Sequence, residues 1–234
     1  MWTITENSFD PASQHHKETI FTIGNGYLST RGAVEEGYPD EHRATFVHGV
    51  FDDMPVSFTE LANAPDWLSI HVLLNGEKFS LSSGKILQFE RELDLRTGVL
   101  TRTVQWRSPG GYVATLKFER FTSLADEHLL CVRCQVTPEF DGQVEFRAAL
   151  NGNTDNEGLT HWCWMGQSLQ ILEQDQQVVH LHNRTRKTGI DLILAMRLLA
   201  PSDHQAEYWD VENVPTLRQV FSARCGEPVT MTKL

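Results

Sequence analysis

An all-β fold, a large antiparallel sandwich, is the fold class that this 234-residue chain predicts. Three observations carry it. Apolar and polar residues alternate with period two over most of the chain, as in Val113-Ala114-Thr115-Leu116-Lys117-Phe118-Glu119-Arg120, which sets successive side chains on opposite faces of a strand. Breaks of glycine, proline and asparagine recur at roughly the 8 to 12 residue spacing of sandwich folds. No amphipathic helix of three turns stands out; the best helical window, Ser57 to Asn63, is short and ends before Pro65. Each sheet then has one apolar face, and a second sheet must cover it.

The elements follow in order. Residues 68–74 and 77–82 flank Asn75-Gly76, the two-residue turn that right-twisted antiparallel strands favour. Residues 99–107 and 112–121 alternate on either side of Pro109-Gly110-Gly111 and form a second hairpin, with Trp106 and Phe118 expected in the core. Further strands are predicted at 128–136, 143–150, 168–172, 178–182, 190–198, 217–225 and 229–232. Pro201 to Val214 is acidic and reads as a long loop, or as one short helix around Gln205 to Asp210. A single domain over residues 1–234 is expected, because a chain of this length can bury one sizeable core. Pro228 to Leu234 reads as a strand with no cap or polar tail. The expectation is a piece of a longer protein, whose last strand is an edge open to another chain.

Composition removes several classes of function. The net charge of −11 opposes nucleic-acid binding, which needs clustered Lys and Arg to displace counterions. No apolar run approaches the roughly 18 residues of a membrane helix. The first twenty residues have neither a basic nor an apolar leader segment, so a cytoplasmic location is expected. Cys131 and Cys134 are three apart in a predicted strand, hence on opposite faces, and no second ligand pair sits at metal spacing. Cys131, Cys134, Cys163 and Cys225 are read as buried or half-buried free thiols, and no metal site is predicted.

Four segments carry more information. Glu18 to Gly37, ETIFTIGNGYLSTRGAVEEG, sets a Gly24-Asn25-Gly26 turn ahead of Arg31-Gly32. Val50 to Asp53 (VFDD), Thr59 to Trp67 (TELANAPDW) and the block Phe89 to Leu124 follow, with weaker matches at Gln135 to Pro138 and Leu150 to Gly152. In this order and spacing the segments resemble the N-terminal domain of glycoside hydrolase family 65, the maltose, trehalose and kojibiose phosphorylases and their hydrolytic relatives. The resemblance implies the super-sandwich shared with galactose mutarotase, followed in the family by a linker and a catalytic (α/α)6 barrel. It also implies that the family's general acid and phosphate-binding residues lie outside this chain, so no catalytic residue is assigned here. The implied partners are an α-glucoside or the barrel, and a second copy in a homo-oligomer. Phosphate is the implied co-substrate of the parent family, and no cofactor is expected.

Several residues have chemistry suited to a sugar site. Glu35-Glu36, Asp52-Asp53, Glu60, Asp66 and Asp155 could supply paired carboxylates for glycosidic chemistry, but 31 acidic residues give such pairs by chance. Asp66 and Trp67 are the candidate substrate-binding pair, since an indole face stacks on a pyranose beside a carboxylate that accepts hydroxyl bonds. Trp162 and Trp164 share a strand face and are expected in the core. Gly24, Asn25, Gly26, Arg31 and Gly32 form the family signature, read as architectural: glycine for backbone freedom, Arg31 for carbonyls. Two alternatives remain beside a supporting domain: a stand-alone carbohydrate-binding protein, and an aldose epimerase using His71, His128 and Glu119.

Overall fold

The computed structural model describes residues 2–53, 58–173, 176–199 and 206–234. A nine-stranded sheet and a five-stranded sheet dominate it. The larger sheet runs, in spatial order, through β1 (Thr3–Glu6), β9 (Lys85–Asp94), β10 (Val99–Arg107), β11 (Val113–Thr122), β12 (Leu130–Pro138), β19 (Val229–Lys233), β16 (Asp191–Leu199), β15 (Gln177–Thr185) and β14 (Trp162–Ile171). The smaller runs through β17 (Glu207–Trp209), β18 (Thr216–Ala223), β13 (Gly142–Ala149), β7 (Ile70–Leu74) and β8 (Glu77–Lys78). Two small sheets pair β2 (Ile23–Gly24), β3 (Leu28–Thr30) and β4 (Thr45–Val47), and β5 (Phe51–Asp53) with β6 (Thr59–Leu61).

The main core lies between the two large sheets and shows why alternation specifies it. Val104, Trp106, Leu116 and Phe118 from the larger sheet meet Ile70, Val72, Leu74, Val144, Phe146 and Leu217 from the smaller. Trp106 pairs with Ala114 and Val104 with Leu116 across the β10–β11 ladder, so bulky residues face small ones and the layers interdigitate. Trp106 and Phe118 are 0% and 1% exposed, as expected.

Several expectations change. Residues 59–61 of the helical window are strand β6, and 57 lies outside the described residues. Glu207–Trp209 is a strand rather than a helix, while 205 lies outside the described residues. The strand expected at 77–82 ends at Lys78. The one described α-helix, α1 (Gln14–Ile20), is only about two turns long, too short for a hydrophobic period to show. Strand β9 was missed because the inward residue between Phe89 and Leu93 is Arg91, which reads as a polar break. Cys163 and Cys225 are exposed, and only Cys131 and Cys134 are buried. Trp162 is buried, yet Trp164 is exposed: β14 is an edge strand, and Trp162 packs into the cluster of Leu28, Val47 and Ala62. The last strand is not an open edge: β19 pairs with β12 on one side and with Leu198 and Leu199 of β16 on the other.

Candidate functional site

The signature segment is a buried strap laid across the larger sheet. Residues 31–34 have no regular structure and lead into a turn at 35–36, and the carbonyls of residues 31 to 35 each accept a hydrogen bond from an arginine. Arg120 donates to Arg31 O and Ala33 O, Arg91 to Gly32 O, and Arg43 to Val34 O and Glu35 O. Arg91, Arg102 and Arg120 occupy inward positions of β9, β10 and β11 and are 1%, 3% and 1% exposed. Arg102 bonds Glu36 Oε1 at 2.7 Å and Glu35 Oε2 at 2.7 Å, and Arg120 bonds Glu35 Oε1 at 3.0 Å. Burial pushes the Glu35 carboxyl up, but Arg120 and Arg102 outweigh it and the net shift is downward. Burial lowers Arg120 to about 10 despite Glu35.

The other signature residues lock turns onto this frame. Asn25 Oδ1 accepts from Tyr27 N and Leu28 N, and its Nδ2 donates to Ser123 O at 2.8 Å and Glu127 O at 2.9 Å. Gly26 follows at φ +89°, a backbone that side chains resist. Gly24 opens the turn from the end of β2. A Cβ at Gly32 would lie 2.6 Å from Phe21 Cβ. Arg31 Nη2 donates to His15 O and reaches Glu18 Oε2 at 3.5 Å.

Asp66 and Trp67 part company. Trp67 is 4% exposed and borders an apolar cavity of about 450 Å³, which Leu28, Val47, Met196 and Lys233 also line. Asp66 instead opens toward a polar cleft of about 740 Å³ walled by segment 41–46, the β5–β6 hairpin and segment 151–159. Its carboxylate takes Arg43 Nη1 at 2.5 Å and Leu68 N at 2.8 Å. Arg43 also donates to Glu41 Oε1 at 2.6 Å, so one cation serves two carboxylates. Burial is the largest influence on Glu41 and pushes it up to about 7, with Arg43 opposing and Asp66 assisting.

Behind the cleft lies a second array that sequence reading missed. His161, 1% exposed, sets Nδ1 3.2 Å from Asp52 Oδ2 and Nε2 2.8 Å from Glu60 Oε1. Asp52 Oδ1 accepts from the backbone N–H groups of Lys187 and Thr188 at 2.9 and 3.0 Å. Burial raises the Asp52 carboxyl, and those bonds with His161 pull it below its usual range. The clue was present in the motif VFDD-TELANAPDW, but a partner some 100 residues away has no local signature.

The residues weighed for epimerase chemistry do not converge. His71 borders a cavity of about 360 Å³ with Glu41, Asp66 and Arg147, and His128 borders the apolar cavity. Glu119 is held by Arg133 and Lys117. Among the described residues, no group of three or more His, Cys, Asp or Glu could hold a metal ion, and no helix is long and apolar enough to cross a membrane.

Comparison with known proteins supplies the context. Residues 4–234 match the model of glycosyl hydrolase family 65, N-terminal domain. The chain is 36% identical over 200 residues to the kojibiose phosphorylase of Halothermothrix orenii, covering 83% of this chain and 24% of that protein. It is 33% identical over 171 residues to the α,α-trehalose phosphorylase of Thermoanaerobacter brockii, covering 66% of this chain and 22% of that protein. A solved human-microbiome structure named for kojibiose phosphorylase aligns with TM-score 0.88 over 99% of this chain and 31% of that one. At 22% identity this last likeness shows the fold alone.

Proposed function

The chain belongs to glycosyl hydrolase family 65 as its N-terminal domain, and from that premise we propose that it is a non-catalytic β-sandwich domain of an enzyme acting on α-glucosides. It buttresses a catalytic barrel and helps form a homo-oligomer. Phosphate belongs to the parent reaction as co-substrate, and this domain needs no cofactor of its own. The cytoplasm is the compartment we infer, and 1–234 one folding unit.

One observation carries the reading: the family match runs from residue 4 to 234, yet the chain spans only 24% of the phosphorylase it resembles at 36% identity. The engagement of Glu35 and Glu36 by Arg102 and Arg120 supports it, because carboxylates tied into buried ion pairs are poor proton donors. The test is an assay of kojibiose, trehalose and maltose with phosphate. The chain alone is expected to be inert, whereas the chain exchanged for the corresponding segment of the Halothermothrix orenii enzyme is expected to support sugar-phosphate formation. Turnover by the isolated chain would sink the proposal. For oligomerisation, β14 is one of the two edge strands of the larger sheet and carries exposed Trp164, Met165 and Ile171; sedimentation at hundreds of micromolar is the check.

A further inference from the structure

We infer that the polar cleft beside Asp66 is a binding site for a neutral saccharide of one or two hexopyranose units, held by this domain itself. The cleft, about 740 Å³, falls within the roughly 300–1,000 Å³ of small-molecule sites. A pyranose presents an apolar C–H face and a rim of hydroxyls that both donate and accept. Its site therefore needs a flat apolar surface beside polar groups fixed in direction.

Both are here. Phe58 lines the cleft and is 59% exposed, with Phe46 half-buried in the same lining. Glu60 is the outer arm of the His161 array: its Oε1 is bonded to a histidine that Asp52 fixes from the other side. That leaves Oε2 with little rotational freedom and no partner among the described residues. The opposite wall is equally set. Asn153 Oδ1 accepts from Asn213, leaving its amide N–H groups as donors.

Five carboxylates, Glu41, Glu60, Asp66, Asp155 and Glu157, face two arginines in the lining, and Arg31 and Arg43 already hold Glu18 and Asp66. The excess negative charge selects a neutral ligand over a sugar phosphate.

Calorimetric and NMR titration of the 234-residue chain with kojibiose, maltose, glucose and glucose 1-phosphate tests this without any turnover, so the outcome is separate from that of the exchanged-domain assay. At least one neutral sugar is expected to saturate with a millimolar Kd, and glucose 1-phosphate to bind roughly tenfold weaker or not at all. Phe58→Ala and Asn153→Ala remove side chains at the surface of the cleft and are expected to weaken binding at least about tenfold with unchanged thermal melting; Glu60→Gln should do the same if it folds. No saturation by any neutral sugar at about 100 mM, equal or tighter binding of glucose 1-phosphate, or a Phe58→Ala Kd equal to wild type would each overturn the inference.

Discussion

Arg102 and Glu36 face one another inside the sandwich, Nη1 to Oε1 at 2.7 Å, each 3% exposed. The guanidinium also lies 4.4 Å from the centre of the Phe118 ring, so it is held by charge on one side and by an aromatic face on the other. Removing one partner of such a pair strands the other without water. Arg102→Met is therefore expected to cost about 3–5 kcal/mol in urea unfolding. Replacing Glu35, Glu36 and Arg102 together by apolar residues should cost less than the sum of the single changes. A loss below about 1 kcal/mol for Arg102→Met would mean that the strap tolerates an unpaired carboxylate.

Trp106 is the largest fully buried side chain. Its indole packs edge-on against Phe79 at 5.3 Å and donates from Nε1 to Ser83 O at 2.8 Å. Trp106→Ala should cost about 3–5 kcal/mol from the cavity, and Trp106→Phe less, since it keeps most of the volume and loses the donor. Urea midpoints of the two variants, compared at unchanged slope, check the ordering.

Asn25 bridges the signature turn to segment 123–127 through two carbonyls. Asn25→Ala leaves Ser123 O and Glu127 O to find other donors, with an expected cost of about 1–3 kcal/mol. Amide exchange should quicken first at Leu28, whose N–H the side chain accepts, and across 123–128. Uniform exchange over the whole chain would contradict a local role.

How much of this was legible follows from the period of the pattern. Strands β10 and β11 were read nearly to their ends because Leu100, Val104, Trp106, Leu116 and Phe118 keep phase. The same rule hid β9, where Arg91 stands in the inward phase, and it gave no reason to see that Arg102 and Arg120 turn inward too. An arginine in the apolar phase of an alternating strand is the signal that was available. The strap shows why local reading stops there: Arg31 to Glu36 looks like a loop, and its burial depends on three arginines 55 to 90 positions later. Asp66 and Trp67 were adjacent and plausible as one sugar contact, yet adjacent residues of an extended chain point apart, and they reach different cavities. The His161 array joins residues about 100 positions apart, beyond any spacing rule.

His71 tests the electrostatics of the smaller sheet. Burial is the largest influence on its ring, with the cations Lys78, Arg43 and Arg147 adding to it, and together they lower it to about 4 from 6.5. The folded value lies below the unfolded one, so as pH falls the unfolded chain takes up the proton first. The stability linked to neutral His71 is therefore present above about pH 6.5 and is lost as pH falls toward 4. The ring is half-buried, so after allowance for screening the loss is roughly 1–2 kcal/mol. His71→Gln keeps a polar group of similar reach and cannot titrate. Between pH 7 and 4.5 its urea midpoint should fall less than that of the wild type, while the carboxylates common to both contribute equally. In the wild type the His71 ring resonances should stay at their neutral shifts down to about pH 5. A midpoint near 6.5 in that titration would place the ring in water, and would reopen for His71 the proton-transfer role that a histidine kept neutral at physiological pH cannot fill as an acid.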